Sequence, residues 1–277
     1  MKISYIDFWP GFDPDNNWFS NFFRDYFKTN INFKCNPENA DLIFGSCFGN
    51  NISRYRNCKA LKLYFTGENN RPNLTDYDYS LSFDIDSYGG RNLRLPLWMV
   101  YIDWWNCNSE DISLTEFRRT FDPEEVYSRT KFCSIMIGNR VSNRIQVVNS
   151  LDTYKSVDKF GSVFNNRFEG RKLDLLMNYR YNICFENSIH PGYHTEKFLQ
   201  AKLAGCIPIY YGADTLGIDF NEKCGINYLN YDSVENLLEY IIELDQDKEK
   251  FIEVSSEPLF ESYPDIRFLY NFIGNIL

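Results

Sequence analysis

Tyr181–Gly212 reads YNICFENSIHPGYHTEKFLQAKLAGCIPIYYG, and its order of strand, loop, helix, strand decides the fold. YNICFEN is a short apolar run rich in β-formers, and Pro191 and Gly192 break the loop that follows. Thr195 is positioned to cap a helix over TEKFLQAKLA, and Gly205 stands where a helix-terminating glycine belongs. IPIYYG then reads as a second buried strand. Such a unit makes a right-handed parallel crossover, whose loop lies outside the carboxyl end of the first strand, where open α/β sheets hold ligands. Free N–H groups in the first turn, with Lys197 beside them, form a seat for phosphate. A lysine there opposes the helix dipole, and a bound anion would relieve that conflict.

The 277-residue chain can bury one large or two medium cores. Aromatics make up 18% of it, which fits stacking on the C–H faces of sugars and equally the codon usage of an AT-rich genome. A net charge of −9 argues against a duplex-binding protein, so no nucleic-acid partner is expected. No run approaches the roughly 18–20 apolar residues of a membrane span. MKISYIDFWPGF lacks a signal-peptide core and reads as a first strand. The expected location is cytoplasmic, with peripheral membrane contact as an alternative. The 8 cysteines form no CxxC pair and read as buried thiols, so no metal site is expected. The glycosylation-like triplets at Asn51 and Asn73 read as chance in an Asn-rich chain.

Upstream, Lys2–Phe8, Ile31–Lys34, Asp41–Gly45 and Leu61–Phe65 read as strands, and Asn16–Phe27 as an aromatic-faced helix. The turn TGEN after LKLYF places Glu68 at the carboxyl end of a strand, a position for a general base or simply a solvated loop glutamate. DPEEVYSRT reads as a short capped helix with Pro123 first, and the domain boundary is placed near residue 128. The expected domains are 1–128 and 129–277, with the last helix, DIRFLYNFIGNIL, able to pack back on the first. In the second half, KFCSIMIGN is a strand, and Val141–Tyr154 a helix capped by Ser142 or Asn143. Arg144 falls in its first turn, a second cation placed against a helix dipole. Arg144 and Lys197 could converge on one diphosphate, or could be two surface bases. His190 and His194 share a loop, but Pro191 and Gly192 break the helix that a metal pair at that spacing would need. The alternation predicts an α/β protein of two Rossmann-like domains facing a central cleft.

FENSIHPGYHTEK, with FTGEN, RLPLW, the helix carrying Arg144 and VDKFG in the same order, resembles the α1,3/4-fucosyltransferases of glycosyltransferase family ten. The resemblance covers roughly residues 2–230. It implies a GT-B arrangement, GDP-fucose as donor, no cofactor and no metal. It also implies inverting transfer to a GlcNAc hydroxyl, 3 or 4, in an oligosaccharide such as N-acetyllactosamine. By position, Glu68 matches the general base, and Arg144 and Lys197 the cations on the pyrophosphate. Glu186, Asn187 and Tyr193 line the donor site, with Glu196 near the fucose or the ribose. Two alternatives stand beside this: another GDP-sugar or acceptor, and a non-catalytic carbohydrate-binding protein on the same fold. The chain resembles the bacterial type, but lacks the heptad repeats and basic tail known in some relatives, which puts membrane attachment and dimerisation in doubt.

Overall fold

The structure, a computed structural model, describes residues 1–108, 111–139 and 142–277, with backbone alone for 142 and 143. Val141, the expected first residue of its helix, therefore lies outside the described residues, as does the capping expected of Ser142 or Asn143. The chain divides into two compact units, Met1–Leu114 with Pro264–Leu277, and Thr115–Tyr263.

In the first unit, β1 (Ile3–Ile6), α1 (Trp18–Phe27), β2 (Leu42–Gly45), β3 (Leu61–Phe65), β4 (Tyr79–Ser82) and β5 (Asn92–Arg94) follow in order. The strands form one parallel sheet in the order β1-β2-β3-β4-β5. Ile31–Lys34, expected as a strand, makes only isolated bridges to β1, the one at Asn32 parallel and on the edge that β2 leaves open. With that segment counted, the chain order across the sheet is 2-1-3-4-5-6, and the direction of winding reverses between β1 and β2. Asn17 caps α1 by accepting from the Ser20 N–H at 2.9 Å. The aromatic face of α1 enters the core, Phe19 meeting Phe44 and Phe65 edge-on at 4.8 and 4.6 Å. A short helix α2 (Leu97–Val100) and a two-stranded ribbon of β6 (Ile102–Asp103) and β7 (Ile112–Ser113) follow.

The units part inside the short helix α3 (Leu114–Phe117), not near residue 128. The physical reason is what the stretch 115–128 touches. Arg171 holds Glu116 through two hydrogen bonds, Phe117 packs on Phe260, and Tyr127 of α4 (Pro123–Ser128) packs edge-on against Phe251. All these partners belong to the second unit. The helix α4 itself forms as its sequence requires, with Pro123 at its start and the Asp122 side chain accepting from the Glu124 N–H.

The second unit continues with β8 (Lys131–Met136), α5 (Ser142–Asp152), β9 (Val157–Phe160), α6 (Lys172–Leu176) and β10 (Tyr179–Ile183). After these come α7 (Glu196–Leu203), β11 (Ile207–Tyr210), β12 (Ile226–Asn227), α8 (Val234–Gln246) and α9 (Lys248–Ser256). The last helix, α10 (Arg267–Ile276), belongs to the first unit. The second sheet is parallel in the order β12-β11-β10-β8-β9, 2-1-3-4-5 in chain order, with its reversal between β8 and β10. Its central strands are buried on both faces, and Tyr181, Ile183, Ile207 and Ile209 join one apolar cluster with Leu237 and Ile241 of α8. Gly205 terminates α7 with φ +82°, and a Cβ there would stand 2.8 Å from the Phe121 ring, so the position demands glycine on both counts. Of the cysteines, 133, 184, 206 and 224 are buried as expected, but Cys107 is exposed.

Candidate active site

The winding reversal in the second sheet leaves a crevice at the carboxyl ends of β8 and β10, the place where open α/β sheets take ligands. The helix after β8 delivers Arg144 to it. The loop after β10 delivers Glu186, Asn187 and Tyr193, and α7 delivers Glu196 and Lys197.

Glu186 anchors the group. Its N–H donates to the Tyr211 carbonyl at 2.8 Å, which carries the pairing of β10 and β11 past the strand ends. Its carboxylate is fully buried and accepts from the Thr195 N–H at 2.8 Å, the Thr195 hydroxyl at 2.7 Å and the Lys197 Nζ at 3.1 Å. Thr195 does occupy the cap position with extended backbone, but its hydroxyl does not cap the helix. It donates to Glu186 instead and lies 2.7 Å from Lys197 Nζ. Helix α7 therefore begins without a side-chain cap, while α1, α4 and α8 each have one.

Arg144 is 1% exposed. Its guanidinium donates to the carbonyls of Asn139 at 3.1 Å and Phe185 at 2.5 Å, and to the Asn187 Oδ1 at 2.6 Å. Its Nε is buried without a hydrogen-bond partner, and no carboxylate among the described residues forms an ion pair with it. Burial holds its pKa below the ordinary arginine value. For Lys197, burial works against the charge, but Glu186 and Glu196 overcome it and raise the pKa. Glu196, 3.8 Å from Lys197, shows the converse: burial raises its pKa, and Lys197 and Lys172 bring it below the ordinary value.

Lys172 escaped the sequence reading. It is half-buried, is the first residue of α6, and lies within electrostatic reach of Glu196 and Lys197. The signal was there, since it is a third cation at a helix start after a loop. Tyr193 is buried in the same loop, whose turn is held by the Gly192 N–H donating to Thr215 Oγ1. His194 is also buried, its Nδ1 2.5 Å from an Asp219 oxygen and its Nε2 3.2 Å from Thr215 Oγ1, so its ring braces the loop.

Glu68 stands in the first unit. It is exposed in the loop after β3, where its backbone forms a tight turn with Thr66 and Asn70. It lines a cavity of about 530 Å³ together with Trp9, Phe48, Tyr101 and Asp111. Trp9 follows β1 and Phe48 follows β2, so this cavity sits at the winding reversal of the first sheet.

Two family descriptions match the chain. Residues 3–101 match the N-terminal domain of alpha-(1,3)-fucosyltransferase FucT, and residues 126–255 the C-terminal part of glycosyltransferase family 10 (fucosyltransferase). The Helicobacter pylori alpha-(1,3)-fucosyltransferase FucT is 27% identical over 93% of this chain and 60% of its own length. Drosophila melanogaster alpha-(1,3)-fucosyltransferase B is 25% identical over 66% of this chain and 44% of its own. The chain thus spans about 60% of the H. pylori relative and less of the fly one. A crystal structure of an alpha1,3-fucosyltransferase with GDP-fucose superposes with TM-score 0.77 at 22% identity, over 99% of this chain and 89% of that one. Anabaena HepE, solved with UDP and glucose, superposes with TM-score 0.54 at 10% identity, over 92% and 93%. The fold is that of the GT-B glycosyltransferases. Among the described residues no helix is long and apolar enough to cross a membrane.

Proposed function

Because the chain belongs to glycosyltransferase family 10, we propose that it moves L-fucose from GDP-fucose to a GlcNAc hydroxyl, with inversion. The acceptor is a glycan such as N-acetyllactosamine, and the 3-hydroxyl is the target with the 4-hydroxyl as the alternative. The observation that carries the reading is the Arg144 guanidinium, buried with no carboxylate in direct ion-pair contact among the described residues, Glu186 acting on it only at a distance. Near it are Lys197 and Lys172, against the carboxylates Glu186 and Glu196. Three cations against two anions leave one positive charge in excess, which together with the free N–H groups at the uncapped start of α7 meets the two negative charges of a diphosphate. The second unit therefore holds the donor and the first the acceptor. Asn187 and Glu186 set the directions of Arg144 and Lys197, Tyr193 walls the donor site, and Glu196 takes a hydroxyl of the fucose or the ribose.

In the reaction the acceptor hydroxyl oxygen attacks the anomeric carbon of fucose in line with the bond to GDP. Glu68 takes the proton from that hydroxyl. The C–O bond to the diphosphate breaks, and its electron pair leaves with GDP, where Arg144, Lys197 and the free N–H groups of α7 meet the growing charge. Fixed cations supply the charge stabilisation that a divalent ion supplies in other transferases, so the reaction needs no metal.

Labelled GDP-fucose with an acceptor panel tests this. The expected result is transfer to N-acetyllactosamine, with Glu68→Gln reducing turnover by about 10²–10⁴-fold. Near-full transfer by that variant rejects Glu68 as the base. Preference for GDP-mannose over GDP-fucose rejects the donor.

A further inference from the structure

We infer that Trp9 and Phe48 form the wall on which the sugar ring adjoining the accepting GlcNAc stacks, and that Asp7 is the positioning residue that holds this wall. The inference rests on the acceptor reading given under Proposed function.

Trp9 and Phe48 are among the most exposed large apolar side chains of the molecule, at 40% and 47%, and their rings lie 6.0 Å apart at 79°. Both line the cavity that also contains Glu68. They project from the loops after β1 and β2, the two strands between which the first sheet reverses its winding, where such sheets take ligands. Two open rings at an angle, with Glu68 and Asp111 on the same cavity, match a pyranose with one C–H face and hydroxyls around its edge.

Asp7 links the two loops. It is buried and adopts φ +57°, a left-handed conformation that a non-glycine residue keeps only where the surroundings favour it. Its carbonyl accepts from the Phe48 N–H at 2.9 Å. Its carboxylate accepts from the Asn51 N–H at 3.0 Å, the Asn51 side-chain amide at 2.7 Å and the Ile52 N–H at 3.2 Å. Gly49 lets the loop pass so closely that a Cβ there would stand 2.2 Å from the Asp7 carboxylate. One side chain two residues before Trp9 thus pins the loop that carries Phe48. The ordinary fate of an aromatic pair of this kind is burial, and these rings instead stay open at the mouth of the cavity.

The test compares N-acetyllactosamine with free GlcNAc as acceptor, in wild type, Trp9→Leu, Trp9→Phe, Phe48→Leu and Asp7→Gly. Trp9→Leu and Phe48→Leu are expected to raise KM for the disaccharide about tenfold, with KM for GDP-fucose and the kinetics on GlcNAc unchanged. Trp9→Phe retains most of the disaccharide preference, because a flat ring remains. Asp7→Gly removes the strain and the three hydrogen bonds to the carboxylate, leaving only the backbone bond to Phe48, and raises the disaccharide KM while kcat on GlcNAc holds. An unchanged disaccharide KM in Trp9→Leu, or an equal rise for donor and acceptor, overturns the inference. A wild type that turns over no GDP-fucose defeats the reading under Proposed function instead. Direct titration of N-acetyllactosamine without donor then decides the wall on its own: binding by wild type that Trp9→Leu loses supports it, and equal binding or none overturns it.

Discussion

Both units reverse the winding of their sheets beside their first strand and place loops there, yet the two reversals are furnished in opposite ways. In the second unit the crevice is charged, closed and hydrogen-bonded: Glu186 is buried under Thr195 and Lys197, and Arg144 is 1% exposed. In the first it is aromatic and open, with Trp9 and Phe48 bare and Glu68 exposed beside them. The topology supplies the position, and the side chains decide the ligand. A dense anion needs charges held in place before it arrives, because reorganising them during reaction would forfeit their effect. A sugar ring needs a flat apolar surface with few fixed contacts. The difference predicts that changes in the second unit trade stability against donor binding, while changes at Trp9 and Phe48 in the first act on acceptor binding alone.

The largest expected effect is at Glu186. Glu186→Ala strips Lys197 of its buried partner and leaves the Thr195 N–H unmatched, which should cost about 3–5 kcal/mol of stability. Chemical denaturation reads this, and a loss under 1 kcal/mol would show that the charged crevice is not prebuilt. Next comes Arg144→Met. Donor turnover should fall about 10²–10³-fold, while the melting temperature changes little, because relief of a buried guanidinium with an unpartnered Nε offsets the lost hydrogen bonds to Asn139, Phe185 and Asn187. A parallel fall in melting temperature would make Arg144 a structural residue and erase the contrast between the units.

The smallest effect is on pH dependence. The pKa of Glu196 is raised by burial, but Lys197 and Lys172 lower it further and leave it below the ordinary glutamate value. A depressed carboxylate contributes stability that is complete above its unfolded pKa and is lost as pH falls through the folded one. Wild type should therefore lose melting temperature below about pH 5 more steeply than Glu196→Gln. Identical slopes would remove the charge coupling around α7. No such difference is expected for substitutions of Trp9 or Phe48, which carry no charge.

Much of this was legible in the chain because it depends on neighbours in sequence. The helix start at Thr195, its glycine end at Gly205 and the short helix begun by Pro123 follow from residues a few positions apart. So did the odd placement of Arg144 and Lys197 against helix dipoles. Where partners are remote, the reading missed. The division between units lies at Leu114 because Glu116, Phe117 and Tyr127 find their partners more than fifty residues downstream, and no local signal marks that. Ile31–Lys34 has strand composition but gains only isolated bridges, since its pairing depends on the open edge of β1. Thr195 was placed correctly and given the wrong partner, because a buried carboxylate nine residues earlier competes for its hydroxyl.

By itself the sequence determined two α/β units, their main elements and two cations of the second, Arg144 and Lys197, since periodicity, caps and breakers act over one or two turns of chain. Only the tertiary structure decided that both sheets reverse at one strand pair, that Glu186 is the buried anchor of the charged crevice, that Lys172 joins it, and that Asp7 ties Trp9 to Phe48. Each of these is a juxtaposition across a sheet or between loops. Hydrogen bonds and desolvation depend on distance in space, which separation along the chain does not encode.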